Sequence, residues 1–103
     1  MLGWKYKKEY TFAVYILASK RNGTLYIGVT KNIFNRSFQH RTNKDKNSFT
    51  ARHNVKKLVY YEIYQYINDA LEREKELKRY RRKWKIELIE KENPTWHDSF
   101  DNF

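Results

Sequence analysis

Residues Val14 to Thr30, VYILASKRNGTLYIGVT, restrict the fold more than any other stretch, because they read as two β-strands joined by a tight turn. Apolar and aromatic residues flank Asn22-Gly23, the strongest short-range hairpin signal. If Asn22 and Gly23 alone form the turn, Arg21 faces Thr24; if the loop runs from Lys20 to Gly23, Ser19 faces Thr24. In both cases Tyr15, Leu17 and Ser19 share a face with Tyr26, Gly28 and Thr30, since side chains alternate with period two and a one-residue slip would invert the set. Two phenols and a glycine therefore form one patch, with room beside Gly28 for a phosphate or a helix. The opposite face, Val14, Ile16 and Ala18 with Leu25, Ile27 and Val29, is apolar throughout and belongs to the core.

At 103 residues the chain fits a single domain with one modest core. Its expected organisation is one domain over 1–103, with an arm at 1–10 and a tail at 97–103. A net charge of +10 calls for an acidic partner, of which nucleic acid is the commonest. Cysteine is absent, which excludes disulfide staples, thiolate metal sites and cysteine nucleophiles. No apolar run is long enough to span a membrane, and the start, MLGWKYKKEY, lacks the apolar segment of a secretory signal. A cytoplasmic protein without membrane association is expected.

After the hairpin, TKNIFNRSFQHRTN has Thr30 or Asn32 as N-cap and helical spacing in Ile33, Phe34, Ser37 and Phe38. Arg36 and His40 are one turn apart on this short helix, beside Ile33 at the edge of its buried stripe. Asn43 to Asn54 is a polar, positively charged surface loop able to follow a phosphate backbone. VKKLVYYEIY then reads as a third strand, Val55 to Tyr64, completing a small sheet. The longest periodic segment, INDALEREKELKRYRRKWKIELIEKEN, has Asn68 or Asp69 to cap its start and Asn93-Pro94 to close it, with a break near Arg81-Arg82 as an option. On one continuous helix Ala70, Leu77, Trp84 and Leu88 form a narrow apolar stripe with Leu71 on its flank, and Glu74 falls within it. A carboxylate there is costly unless something meets it. Two readings account for it: an internal ion pair, most simply with Arg81 or Arg36, or a metal ligand facing the sheet. Glu72 and Glu76 lie on the solvated side. The same segment is strongly basic and offers a phosphate-tracking surface. In the tail, Trp96 is expected to pack back onto the domain, whereas His97 and Asp98 have the look of exposed terminal residues.

Tyr15, Tyr26, Arg36, His40 and Glu74, in that order over strand, strand, helix and later helix, resemble the GIY-YIG nuclease family. The signature tripeptides stand here as Val14-Tyr15-Ile16 and Tyr26-Ile27-Gly28, the helix pattern as Arg36 and His40, and the acidic position as Glu74 in ALEREKEL. The likeness runs from about Phe12 to Trp96 and is greatest to the small stand-alone branch. It departs at Val14, where the family has glycine, and at Val29 and Lys85, the positions nearest to a lysine and an asparagine that many members carry.

The resemblance implies an α+β fold, a three-stranded antiparallel sheet flanked by helices in the order β-β-α-β-α-α. It also implies a DNA endonuclease that hydrolyses phosphodiester bonds with one divalent ion, Mg²⁺ or Mn²⁺, and serves repair, recombination or processing. Glu74 is then the metal ligand, a hard oxygen donor, and Arg36 presents its planar fork to the scissile phosphate. Tyr15 or Tyr26 is the base with His40 as relay, or His40 acts directly: a free phenol has a pKa of about 10 and an imidazole about 6.5. Lys31, Arg41, Lys78, Arg81, Arg82 and Lys85 are the expected nucleic-acid contacts. One metal at one site implies nicking or single-strand cleavage by a monomer acting on duplex or single-stranded DNA. The rival readings are a nucleic-acid-binding module of the same fold without activity, and a protein-interaction domain.

Overall fold

The computed structural model describes residues 12–33 and 52–102. Strands β1 (Phe12–Ala18), β2 (Leu25–Thr30) and β3 (Lys57–Tyr64) form one antiparallel sheet in the order β2-β1-β3, so the hairpin's first strand is central. Helices α1 (Ile67–Arg79) and α2 (Arg82–Glu92) follow, and a 3-10 turn at Ser99–Asn102 ends the described chain. The expected arm at 1–10, the helix carrying Arg36, His40 and Arg41, and most of the 43–54 loop lie outside the described residues.

The hairpin pairs Tyr15 with Gly28 and Leu17 with Tyr26, one of the two registers that alternation allows. Its loop is the longer of the two options: the Ser19 amide donates to the Thr24 carbonyl at 3.0 Å, and the Gly23 amide to the Lys20 carbonyl at 2.9 Å. Asn22 takes the left-handed conformation at φ 59, which asparagine tolerates well. Gly23 is needed for space, because a Cβ there would collide with the Ser19 hydroxyl.

Both faces of the sheet are covered. On one, Val14, Ile16, Ala18 and Ile27 pack with Val59, with Ala70 and Leu77 of α1, with Ile89 of α2 and with Trp96. On the other, Tyr15 and Leu17 form a second cluster with Val55, Leu58 and Phe100, and Tyr26 and Ile33 pack against it. A register shift between Ile16 and Leu17 makes room for the extra residue of β3, so that Val59 and its neighbour Tyr60 both pack with the first cluster while Leu58 joins the second.

Three expectations need correction. The long helix begins at Ile67 with Tyr66 as N-cap and without a side-chain capping bond, so neither Asn68 nor Asp69 caps it. The optional break is taken, at Tyr80 and Arg81, both extended with ψ of 141° and 153°, so that what needs correction is the stripe along one continuous helix. The break ends the continuous stripe, leaving Trp84 47% exposed, with the Arg81 guanidinium 5.4 Å from its ring centroid and Tyr80 edge-on. Lastly, the tail is structural. The Asp98 carboxylate accepts from the amides of Leu58 at 3.1 Å and Phe100 at 3.0 Å, which seats Phe100 in the second cluster. Trp96 is fully buried, as expected, and its indole N–H donates to Glu90 at 2.7 Å. Asn93 closes α2, and its side-chain amide donates to the carbonyls of Val59 at 3.1 Å and His97 at 2.9 Å, tying the helix end to β3 and the tail.

Candidate active site

A cleft of about 550 Å³ opens beside β2, lined by Phe12, Tyr15, Tyr26, Gly28, Val29, Thr30 and Lys31 from the hairpin and by Ile67, Leu71 and Glu74 from α1. Four residues singled out in the sequence, Tyr15, Tyr26, Lys31 and Glu74, thus meet at one concavity. The phenols differ in access: Tyr15 is fully buried and Tyr26 partly exposed, with ring centroids 6.3 Å apart.

Gly28 is the floor of this arrangement. A Cβ built there would stand 2.5 Å from the Tyr15 hydroxyl oxygen, 2.7 Å from its Cζ and 3.1 Å from a Tyr26 ring carbon. The space expected to admit a phosphate or a helix is filled by the Tyr15 phenol instead. Glycine is required here for close approach rather than for an unusual backbone angle.

Glu74 sits on the flank of the buried helix stripe, its side chain 20% exposed, and its Oε2 is 3.2 Å from Lys78 Nζ one turn later. Among the described residues the ion-pair partner is Lys78 and not Arg81, because the helix ends before Arg81 can return to the same face, while the other expected partner, Arg36, lies outside the described residues. Lys78 itself is 55% exposed, so this is a surface-type pair of modest strength. Arg81, Arg82 and Lys85 lie at the elbow between the helices and do not line the cleft. Arg82 Nη2 donates to the carbonyls of Asn22 and Gly23 at 2.6 Å each, fastening α2 to the hairpin turn. Arg36, His40 and Arg41 lie outside the described residues.

A second polar constellation has no counterpart among the expected site residues. Glu62 of β3 accepts from Arg73 Nε at 2.9 Å and Nη2 at 3.0 Å, from the Tyr64 hydroxyl at 2.7 Å and from the Tyr60 hydroxyl. Arg73 Nη1 also reaches Glu76 at 2.6 Å and Tyr80 at 3.5 Å. Burial pushes the Glu62 carboxyl upward, but the guanidinium fork and the two phenols outweigh it and hold the group below the usual carboxylate range. Tyr64 is pushed up to about 12 by burial and by its bond to Glu62, and Tyr60 higher still for the same reasons. Hydrogen bonding to Glu62 is also the main cause that raises Arg73. The signal was present in the sequence as Tyr60, Glu62 and Tyr64 on one face of a strand, with a carboxylate between two phenols.

Among the described residues no group of three or more histidines, aspartates or glutamates is arranged to hold a metal ion, and no helix is long and apolar enough to cross a membrane. Among the described residues that line the cleft, Glu74 is the one carboxylate that would hold a metal there. That donor set fits a hard cation such as Mg²⁺, which keeps several waters and binds through one or two carboxylates plus substrate oxygens.

Similarity to known proteins agrees with this geometry. UPF0213 proteins from two strains of Staphylococcus epidermidis are 36% identical over 77 residues, covering 75% of this chain and 92% of theirs. The solution NMR structure of the UPF0213 protein of Bacillus halodurans shares the fold, with a TM-score of 0.54 at 24% identity over 86% of this chain and 93% of that one. The GIY-YIG catalytic domain matches residues 11–87, and the chain belongs to this family of nucleases.

Proposed function

We propose that the protein is a metal-dependent DNA endonuclease that hydrolyses one phosphodiester bond per visit, nicking duplex or cutting single strands. The observation that carries this reading is the convergence of Tyr15, Tyr26, Lys31 and Glu74 on one cleft. Glu74 would hold a single Mg²⁺ or Mn²⁺, which when bound neutralises charge on the leaving oxygen. Lys31, exposed at the cleft rim, attracts the substrate phosphate, and Arg36 offers a fork to the same group as its charge rearranges. The attacking water must lose a proton. Tyr26 is the partly exposed phenol and the better placed to meet that water, while Tyr15, buried against Gly28, orients it; His40 takes the proton onward or accepts it directly. The basic elbow at Arg81, Arg82 and Lys85 and the segment around Arg41 supply contacts to flanking phosphates.

The Glu74–Lys78 ion pair favours a second reading, a nucleic-acid-binding module in which Glu74 is structural. Cleavage of supercoiled plasmid and of single-stranded oligonucleotide with Mg²⁺ or Mn²⁺ separates the two. The wild type is expected to give nicked circles before linear product, and Glu74→Ala and Arg36→Ala to lower the rate by about 10²-fold or more. Equal residual activity in all three proteins would reject the nuclease reading. Concerted cutting of both strands at limiting enzyme would reject the nicking monomer.

A further inference from the structure

The Glu62–Arg73 cluster lies outside the cleft, and nothing in the proposed chemistry uses it. Its position bears on how Glu74 is aimed. α1 crosses the sheet with two fully buried side chains, Ala70 and Leu77. One of these is a single methyl group, so apolar packing specifies the roll of the helix about its axis weakly. Among the described residues no side-chain capping bond from Tyr66 adds to the hold at the helix start. Yet a roll of about 20° moves an atom at the helix's outer radius, about 5 Å from the axis, by about 2 Å. A misplacement of about 1 Å is enough to cost a reaction about 10²-fold.

At about 100° per residue, Arg73 and Glu74 straddle the Ala70–Leu77 stripe, each about 50° from its midline on opposite sides. Arg73 reaches β3, where two parallel bonds to Glu62 at 2.9 and 3.0 Å fix both distance and orientation. Glu74 falls on the β2 side and lines the cleft. The acceptor is itself held, since the Tyr60 and Tyr64 hydroxyls both donate to Glu62.

We propose that Arg73 is a positioning residue whose fork on Glu62 sets the roll of α1 and so aims the Glu74 carboxylate into the cleft as a divalent cation requires. The proposal deepens the reading of Glu74 as metal ligand and rests on it. Neighbouring residues on one helix thus divide the work: one grips the sheet edge at β3 and the other serves the site at β2.

The test is Mn²⁺ binding to the full chain, followed by electron paramagnetic resonance, with circular dichroism confirming that each variant is folded at the temperature used. Binding lost in Glu74→Ala defines the site. Arg73→Lys, which keeps the charge but loses the fork, and Glu62→Gln are each expected to weaken that site about tenfold, the lower end of what losing a ligand's support costs. Tyr64→Phe, a milder change that leaves the fork in place, is expected to weaken it by less than either. Glu76→Gln, which touches Arg73 without tying it to the sheet, is expected to bind as wild type. In cleavage assays Arg73→Lys should raise the Mn²⁺ concentration for half-maximal rate, with the rate at saturating Mn²⁺ returning to within about twofold of wild type, which a merely loosened fold would not allow. If Arg73→Lys and Glu62→Gln bind Mn²⁺ as tightly as wild type while Glu74→Ala does not, positioning by Arg73 is refuted and the metal reading stands. If Glu74→Ala loses no Mn²⁺, the metal reading fails and the positioning role falls with it.

Discussion

Glu62 and Glu74 are exposed to almost the same degree, 19% and 20%, and both meet residues of α1, yet their company differs. Glu62 receives both arms of a guanidinium fork and two phenolic hydroxyls. Glu74 is met by Lys78, a flexible, half-exposed ammonium one turn away. Burial therefore does not distinguish these two carboxylates; among the described residues, saturation does. A carboxylate whose lone pairs are all engaged by fixed donors has nothing left for a cation or substrate, whereas one met by a mobile lysine can exchange that partner at small cost.

The contrast can be broken at either carboxylate. Glu62→Ala leaves Arg73 partly buried without its main acceptor and strips two phenols of theirs, so a loss of about 3 kcal/mol in urea unfolding is expected. Glu74→Ala should move the urea midpoint little while removing activity. Were Glu74→Ala the more destabilising of the two, the roles assigned here would be reversed.

At the cleft floor, Gly28→Ala places a methyl against the Tyr15 phenol. Because Tyr15 is fully buried its ring has little room to yield, and overpacking of about 2 kcal/mol should accompany a fall in activity of at least tenfold. Wild-type stability and rate in this variant would show that the phenol is not held where the structure has it. Tyr64→Phe removes one of four donors to Glu62 and should cost about 1 kcal/mol.

The Glu62 cluster should also show in the pH dependence of stability. Glu62 is held below its usual range, so its contribution is present above the unfolded-state carboxylate pKa and is lost as pH falls through its lower folded value. Tyr64 is raised, so its contribution is complete below the ordinary phenol range and is lost as pH climbs toward about 12. Urea midpoints measured across pH should thus fall at both ends. Glu62→Gln should flatten the acid limb and Tyr64→Phe part of the alkaline one, and an unchanged acid limb in Glu62→Gln would show that other carboxylates govern it. The smallest expected effect is that of Lys78→Ala, about 0.3 kcal/mol, as for an exposed pair four residues apart on a helix. A loss well above about 1 kcal/mol would show Glu74 to be as structurally committed as Glu62.

What could be read in advance was whatever depends on local period and on single residue types. Asn22-Gly23 marks the turn, and period two then forces Tyr15, Tyr26 and Gly28 onto one face whichever loop length is chosen; the shared face was readable, and the loop length decided the register. Asn93-Pro94 ends α2 for a reason contained in the proline ring. The lone carboxylate in an apolar pattern marked Glu74. The break at Tyr80 and Arg81 was readable only as an option, because a strongly basic stretch carries no local signal that says where a helix must turn.

Other features depended on contacts between distant segments. Glu62 and Arg73 are 11 residues apart and meet because β3 and α1 pack together; Asp98 finds the Leu58 amide 40 residues away. Period two puts Tyr60, Glu62 and Tyr64 on one face, but composition and period cannot name the distant partner, since Arg73 and Asp98 each read alone as an ordinary surface charge. The hairpin's pattern was enough to say which side chains share a face. Which of two equally buried glutamates is saturated by the described residues was decided by packing, because hydrogen-bond capacity is allotted by neighbours in space rather than along the chain.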